Sequence, residues 1–153
     1  LGTSDAVPMK GLWLSLAAFS LALMPAAVSA VPAVGTFAFS DTGIMGCSGA
    51  ASRRGSKGWE GPLYAAWDFN GTMVLKLNGQ LRSIAYTRSD PIEGAPAGTP
   101  NVYSGRAGNY QVDLTFTTKR TGYETSGGNS ALRIHSGQPG DSVSIPVYVA
   151  QGC

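Results

Sequence analysis

Cysteine and histidine are scarce in this sequence, which holds two cysteines and one histidine in 153 residues. Their spacing matches no zinc pattern, so no metal is expected. The sequence also lacks a phosphate-binding glycine loop, a dinucleotide fingerprint, a metalloprotease helix motif and a nucleophile elbow. We therefore expect no cofactor, and no enzyme of the classes that those motifs mark.

Charge is scarce as well. Charged residues make up 13% of the chain, and its formal net charge is +2. So small a net charge does not favour nucleic acid or a membrane surface as a partner. Aromatic and β-branched residues recur throughout, so the composition is not that of a disordered chain. The length suits one domain with a single core.

The sequence has one long apolar run, residues 11–24, which carries no charge. Met9 and a lysine precede the run and small residues follow it, as in a signal peptide that is cleaved before Val31. The run is too short for a comfortable membrane span, and an uncleaved anchor is the alternative. We expect residues 1–30 to be upstream residues plus the signal peptide, and residues 31–153 to form a single β domain. The mature protein would be periplasmic or secreted, with no stable membrane span.

The two cysteines, Cys47 and Cys153, lie near the two ends of this predicted domain. An exported chain enters an oxidising compartment, where such a pair usually forms a disulfide. A loop of roughly 100 residues closed in this way gains about 4–5 kcal/mol in the chain-entropy model. The alternative is lipidation of Cys47, because the preceding residues resemble a lipoprotein cleavage box. However, Asp41 separates this box from the apolar run.

A two-residue period dominates the sequence from Leu63 onward, and no later window predicts a helix. Asn78-Gly79 is a strong hairpin signal, because a type I′ turn needs positive φ at both central positions. Pro146 cannot donate to a ladder, so its strand is expected to be at an edge or bulged there. The pattern predicts an all-β fold, a small antiparallel meander of seven or eight strands closed as a barrel or flattened sandwich. The residues predicted to face the core are Tyr110, Val112, Leu114, Phe116, Leu132, Ile134, Val143, Ile145 and Val147.

His135 is the only histidine, and its alternation with a leucine and an isoleucine places it on the solvent face of a strand. Catalysis would require a nucleophile or carboxylate beside it, and Asp113 and Asp141 are the nearest candidates by topology. A carboxylate pair across a cleft would be needed for a glycosidase, and Asp68 with Asp113 is the pair that strands could bring to one side. No motif indicates a catalytic histidine or a catalytic carboxylate pair, so we expect no catalytic residue.

Two predicted loops carry the residue types that anchor interfaces. Residues 48–61 are basic and include a tryptophan, and residues 88–109 end in an aromatic and cationic stretch. A small barrel fills its interior with side chains, so binding is expected at the rim. Cationic and aromatic side chains suit an acidic cleft or an anionic glycan. The predicted partner-binding residues are Arg53, Arg54, Lys57, Trp59, Tyr103, Ser104, Gly105, Arg106 and Asn109.

The stretch NGQLRSIAYT…NVYSGRAGNYQVDLTF, from Asn78 to Phe116, resembles the small periplasmic inhibitors of C-type lysozyme. The resemblance implies an exported all-β barrel with a cysteine near each mature end. It also implies that Tyr103–Arg106 and Asn109 form a loop that enters the partner's cleft. We therefore expect an exported, non-catalytic binding module, and the resemblance implies an inhibitor of a cell-wall hydrolase such as lysozyme. A structural or glycan-binding envelope protein is the alternative, and a small hydrolase is a further one.

Overall fold

The fold is seen in a computed structural model, which describes residues 2–3, 31–56, 58–117, 119–121, 124–126 and 130–153. The predicted signal peptide and Lys57 lie outside these residues. Within them the chain forms short 3-10 helices at Phe39–Asp41 and Gly58–Glu60. The strands are β1 Val34–Gly35, β2 Ser48–Arg53, β3 Leu63–Asp68, β4 Thr72–Leu77, β5 Gln80–Ser89, β6 Asn101–Ala107, β7 Tyr110–Phe116, β8 Lys119–Thr121, β9 Glu124–Ser126, β10 Ser130–His135 and β11 Ser142–Gly152.

Eight of these strands form a closed antiparallel barrel. Strands β2 to β7 follow one another around the wall, β10 and β11 continue it, and β11 pairs with β2 to close it. β1 pairs with the end of β4, and β8 and β9 form a separate hairpin between β7 and β10. The barrel form of the predicted meander is confirmed, and its first and last strands are neighbours.

The barrel has two different ends. The β4–β5 and β6–β7 turns lie at one end, which we call the hairpin end. The opposite end, which we call the disulfide end, carries the β3–β4 turn, the β5–β6 loop and the cysteines. This division follows from the alternating direction of the strands, and it places the residues discussed below at one end or the other.

The barrel interior is filled by the side chains that the two-residue period predicts. Of the nine predicted core residues, six are buried and three are half-buried against the same core. Trp67 lies among them, with its ring centroid 5.8 Å from that of Tyr103 and 6.3 Å from that of Phe116. The indole packs over Gly49 of the neighbouring strand, where a Cβ would overlap the ring. Because full burial of a large apolar side chain contributes about 1.5–3 kcal/mol, this core is the main source of stability.

The predicted disulfide is confirmed, because Cys47 and Cys153 are bonded to each other. Cys47 immediately precedes β2 and Cys153 immediately follows β11, and these strands pair through Ser48 and Gly152. The bond therefore joins the two strands whose pairing closes the barrel. A Cys47 thiol held in this bond is not open to the lipidation that the sequence left as an alternative.

A smaller apolar cluster covers the outer face of β2, β3 and β4. Phe37, Ala50, Leu63, Ala66 and Val74 form its buried part, and Phe39, Ile44 and Trp59 pack against it. The small outward side chains of these strands leave room for the chain that precedes β2. The cluster thus fixes the segment that leads into the barrel.

Local sequence signals explain two details of the wall. Asn78 and Gly79 have φ of 49° and 78°, as a type I′ turn requires, so the predicted hairpin is confirmed. Asn78 also exchanges hydrogen bonds with Ala33, which holds the start of the described domain against this turn. Pro146 lies where β11 pairs with β10 but not yet with β2, so this part of the strand is locally an edge, as predicted.

Candidate binding cleft and polar clusters of the barrel

β5 changes its partner halfway along, and this opens the barrel wall. Gln80–Ala85 pair with β4, whereas Tyr86–Ser89 pair with β6. The adjacent β6–β7 hairpin is paired along its full length. Among the described residues, the first half of β5 therefore has a ladder partner on one side only.

The gap between β5 and β6 forms a cleft of about 560 Å³ at the hairpin end. Ile84 and Tyr110 contribute apolar surface, and Pro32 borders the cleft from the segment before β1. Arg82 of β5 and Arg106 of β6 also line it, and both are exposed. None of the described residues that line the cleft is acidic. The cleft therefore concentrates positive charge and attracts anions.

Among the described residues, the two arginines donate hydrogen bonds to uncharged oxygen atoms. Arg82 donates to the side-chain oxygen of Gln80 over 3.1 Å, and Arg106 donates to the carbonyl of Asn109 over 3.4 Å. Within the described part of the chain, neither guanidinium forms an ion pair with a carboxylate. Both groups are therefore available to a carboxylate or phosphate, which a guanidinium binds through paired N–H donors.

The predicted second loop is shorter than expected, which corrects the placement of four candidate residues. Tyr103, Ser104, Gly105 and Arg106 lie on β6, and only residues 90–100 connect β5 to β6. Tyr103 is 1% exposed and belongs to the core, because alternation along β6 turns it inward. Arg106 points outward and lines the cleft, as does Asn109 in the β6–β7 turn. The predicted exposed loop is therefore wrong for Tyr103–Arg106.

The predicted first loop is also partly strand. Residues 48–53 form β2, with Arg53 exposed at its end and Arg54 exposed in the following turn. Trp59 is half-buried, and its ring meets Phe39 edge-on with centroids 5.1 Å apart. Arg53 and Arg54 share the hairpin end with the cleft, but β3 and β4 separate their strand from β5. The structure does not bring the two predicted groups into one site.

Tyrosine, arginine and aspartate side chains form a cluster at the disulfide end. Arg88 and Asp90 form an ion pair of 2.6 Å, and the Arg88 guanidinium lies 5.5 Å from the centroid of the Tyr103 ring. The Tyr103 hydroxyl bonds Asp90 over 3.3 Å and accepts from Gln151 over 3.1 Å. Tyr86 donates to a backbone carbonyl over 2.6 Å. These contacts give hydrogen-bond partners to the tyrosine hydroxyls and the charged side chains at the disulfide end.

The pKa values in this cluster favour a structural role. Burial raises the pKa of Tyr86 to about 12, with the neighbouring Tyr103 adding to the effect. Burial also raises the pKa of Tyr103. Burial alone would lower the pKa of Arg88, but the hydrogen bond with Asp90 and the electrostatic interactions with Tyr103, Asp90 and Tyr86 together outweigh it and raise this pKa. Both tyrosine hydroxyls therefore stay protonated near neutral pH, and a protonated hydroxyl does not act as a general base.

A second polar cluster crosses the outer face of β6, β7 and β10. Ser104 donates to Asp113 over 2.7 Å, and the Nε2 of His135 lies 3.0 Å from the other oxygen of Asp113. Gln111 donates to Asp113 over 3.1 Å. Burial alone would raise the pKa of Asp113, but the hydrogen bonds from Ser104, His135 and Gln111 outweigh it and lower this pKa.

The order of contacts in this cluster differs from that of a nucleophile-activating triad. Such a triad needs an imidazole between the hydroxyl and the carboxylate, whereas here Asp113 lies between Ser104 and His135. Of the two candidate carboxylates, Asp113 is the one that contacts His135. Asp68 instead accepts from backbone N–H groups of the β3–β4 turn. It therefore has its own structural role and is not engaged with Asp113.

Sequence reasoning missed Arg82. Its signal was present, because Arg82 follows the Asn78-Gly79 turn inside the stretch that carries the resemblance to lysozyme inhibitors. The sequence pattern indicates only that Arg82 lies in a strand, since a hairpin signal predicts pairing on one side of that strand and says nothing of the other side. The cleft itself depends on which strand lies beside β5.

The chain matches no protein-family model, no curated protein and no solved structure. The resemblance to lysozyme inhibitors therefore stays a prediction. Among the residues that the structure describes, no helix is long and apolar enough to cross a membrane. In the same residues, no group of three or more histidine, cysteine or acidic side chains is arranged to hold a metal ion.

Proposed function

We propose that this chain is an exported, non-catalytic binding module that holds an anionic partner in the cleft between β5 and β6. The observation that carries the proposal is the pair Arg82 and Arg106, which line an open cleft with no acidic residue among its described lining. Neither arginine is neutralised by a carboxylate of the described residues. Partner carboxylates would therefore gain charge-assisted hydrogen bonds without displacing an internal ion pair.

Two further observations support a binding role. The barrel core is filled by side chains such as Trp67 and Phe116, so a partner is met at the surface. The Ser104–Asp113–His135 contacts lack the order that activates a serine.

Export is supported by the disulfide between Cys47 and Cys153, which is typical of oxidising compartments, and by the signal-like run at residues 11–24.

The proposed partner class is an acidic surface, and the resemblance to lysozyme inhibitors makes the acidic cleft of a cell-wall hydrolase the first candidate. An anionic envelope glycan is the second candidate, because it presents the same carboxylate chemistry to Arg82 and Arg106. The two candidates differ in what else they offer. A protein brings backbone groups to the cleft, and a glycan does not.

The test is binding of C-type lysozyme and of a soluble anionic glycan that carries no peptide to the domain at low and high salt. Arg82→Gln and Arg106→Gln are each expected to weaken binding about tenfold, or roughly 1.4 kcal/mol. Salt is expected to weaken the binding of the unchanged domain, because screening acts on exposed charges. Arg133→Gln is the matched control, since it removes one exposed charge from the outer face of β10.

Binding that is lost in both cleft variants and kept in the control supports the proposal. Equal losses in all three variants would show a general charge effect and contradict it. Binding of neither probe, nor of any acidic peptide, at low salt would also contradict it.

A further inference from the structure

The free edge of β5 carries backbone groups that point into the cleft. In a hairpin with a two-residue turn, the residues that flank the turn exchange hydrogen bonds, and bonded and non-bonded pairs then alternate. Leu77 and Gln80 flank the Asn78-Gly79 turn, so Leu81 and Ser83 fall at non-bonded positions towards β4. Their N–H and C=O groups therefore face the side on which β6 would lie.

Neighbouring contacts confirm this orientation. Tyr86 is an even number of residues from Gln80, so its backbone groups point to the same side of β5. Its N–H donates to the carbonyl of Gly71 on the β4 side over 2.9 Å. The backbone groups of the alternate residues of β5 point towards β6. Thr87 is one of them, and it pairs with Ser104 of β6. That ladder does not extend to Ser83 or Leu81.

Within the part of the chain that the structure describes, these backbone groups have no partner, and their residues are exposed. Among the described residues, no backbone hydrogen bond joins Leu81 or Ser83 to a partner on the β6 side. Ser83 is exposed, and Leu81 is 42% exposed. An exposed strand edge of this kind is a template for an added strand. In β-augmentation, main-chain hydrogen bonds give affinity and side-chain contacts give specificity.

From this geometry we infer that the cleft binds an extended acidic peptide segment, which adds as a strand to the free edge of β5. The inference rests on the proposed function of the cleft as a site for anions. The positive charge of the cleft favours an acidic occupant, because Arg82 and Arg106 approach it from the two bordering strands. Side chains alternate in direction along an added strand. An acidic residue of the segment would pair with one of these arginines while its backbone pairs with Ser83.

The inference names a protein segment as the partner and not a glycan. A glycan offers carboxylates to the arginines but has no ladder of amide N–H and C=O groups. The backbone of the ligand is therefore the feature that decides between the two classes.

The experiment uses short, terminally blocked peptides with glutamate at alternate positions, and measures their affinity for the domain by calorimetry. One peptide is N-methylated on the amides of one edge, and a second is N-methylated on the amides of the other edge. Both keep the same side chains and charge. One methylated peptide is expected to lose at least tenfold in affinity while the other retains it, because only one edge faces β5.

A protein variant provides the complementary arm. Ser83→Pro removes the N–H that faces the cleft and leaves the β4–β5 hydrogen bonds in place, so it is expected to weaken the unmethylated peptide at least tenfold. Ser83→Ala, which keeps the N–H, is the matched control and should bind normally. The methylated peptides test the inference even where Ser83→Pro fails to fold.

The outcomes separate this inference from the proposed function. Equal binding of both methylated peptides, with binding still lost in Arg82→Gln and Arg106→Gln, overturns strand addition and leaves the anion site standing. Absence of binding by every acidic peptide and glycan probe overturns both. A concentration-dependent dimer of the domain that Ser83→Pro abolishes would show that a second copy occupies the edge, and would also overturn the inference.

Discussion

Gly105 of β6 lies so close to the Ala85 carbonyl of β5 that a Cβ at Gly105 would come within 2.6 Å of that oxygen. The contact marks the point at which the two strands separate. Next to it the ladder begins with Tyr86 opposite Gly105, and beyond it the cleft opens. A residue that the sequence analysis assigned to a binding loop is thus part of the wall that shapes the cleft.

Replacement of Gly105 by alanine is expected to destabilise the domain by about 1–3 kcal/mol, the usual cost of forcing an extra methyl into a packed site. The neighbouring atom is a backbone oxygen, which cannot rotate away. Urea unfolding measures the change. Gly35→Ala is the control, because its Cβ would meet only the flexible side chain of Lys76. Similar losses in both variants would contradict the close packing of β5 against β6.

Removal of the disulfide by Cys47→Ser with Cys153→Ser is expected to lower the free energy of unfolding by about 2–5 kcal/mol. The bond joins residues 106 positions apart, so it restricts a large part of the unfolded chain. Thermal unfolding of the double variant should match that of the unchanged domain in reductant. A change smaller than about 1 kcal/mol would show that the bond does not constrain the closing strands.

Trp59→Ala is expected to destabilise the domain, because its ring packs on Phe39 and on the outer cluster of β2–β4. A double-mutant cycle with Phe39→Ala measures the coupling directly, and about 0.5–1.5 kcal/mol is expected for an edge-on ring pair. Additive losses from the two changes would mean that the rings do not depend on each other. In that case Trp59 would be the surface anchor that the sequence analysis proposed.

The lowered pKa of Asp113 predicts a specific dependence of stability on pH. The unfolded-state value is about 3.9, and the folded-state pKa lies below it. The stabilisation is therefore complete above the unfolded pKa and is lost as pH falls through the folded one. Asp113→Asn should lower stability near neutral pH and flatten its fall in the acidic range.

Denaturant unfolding at several pH values from neutral to acidic measures this effect. Glu93→Gln is the control, because Glu93 is an exposed carboxylate of the β5–β6 loop. An Asp113→Asn curve parallel to that of the unchanged domain would show that Ser104, Gln111 and His135 do not stabilise the charged carboxylate.

Local chemistry explains why much of the barrel was predictable. Asn78-Gly79 specifies its turn through backbone conformation alone, and alternating residues such as Val112 and Leu114 specify which face is buried. The closure by Cys47 and Cys153 followed from the expected pairing of two cysteines in a chain that the sequence predicts to be exported. Each of these inferences needs only residues that are near in sequence, or a count of cysteines.

β6 was harder to recognise. It follows a loop rich in proline and glycine, and two of its core-facing positions are Tyr103 and Gly105. A tyrosine and a glycine do not mark an inward face as clearly as valine or leucine does, so the segment resembled an exposed loop. The structural reason for Gly105 is its approach to Ala85, which lies on another strand.

The cleft and the outer polar cluster depend on long-range register. Period two predicts that Asp113 and His135 face outward, but their contact requires β7 and β10 to align. The contact with Ser104 further requires β6, which resembled a loop in the sequence. Likewise, nothing local to Arg82 shows that β5 changes its partner at Tyr86. The sequence predicts the strands, and the tertiary pairing creates the candidate site.

Chemical-shift mapping with a glutamate-rich peptide tests the central claim most directly, because it locates the bound anion residue by residue on the unchanged domain. The account predicts that amide shifts concentrate on Leu81–Ala85 and on Arg106–Asn109, and that they disappear at high salt. Shifts centred on Arg53, Arg54 and Trp59, with the β5–β6 cleft unchanged, would contradict the account and place the site on the predicted first loop.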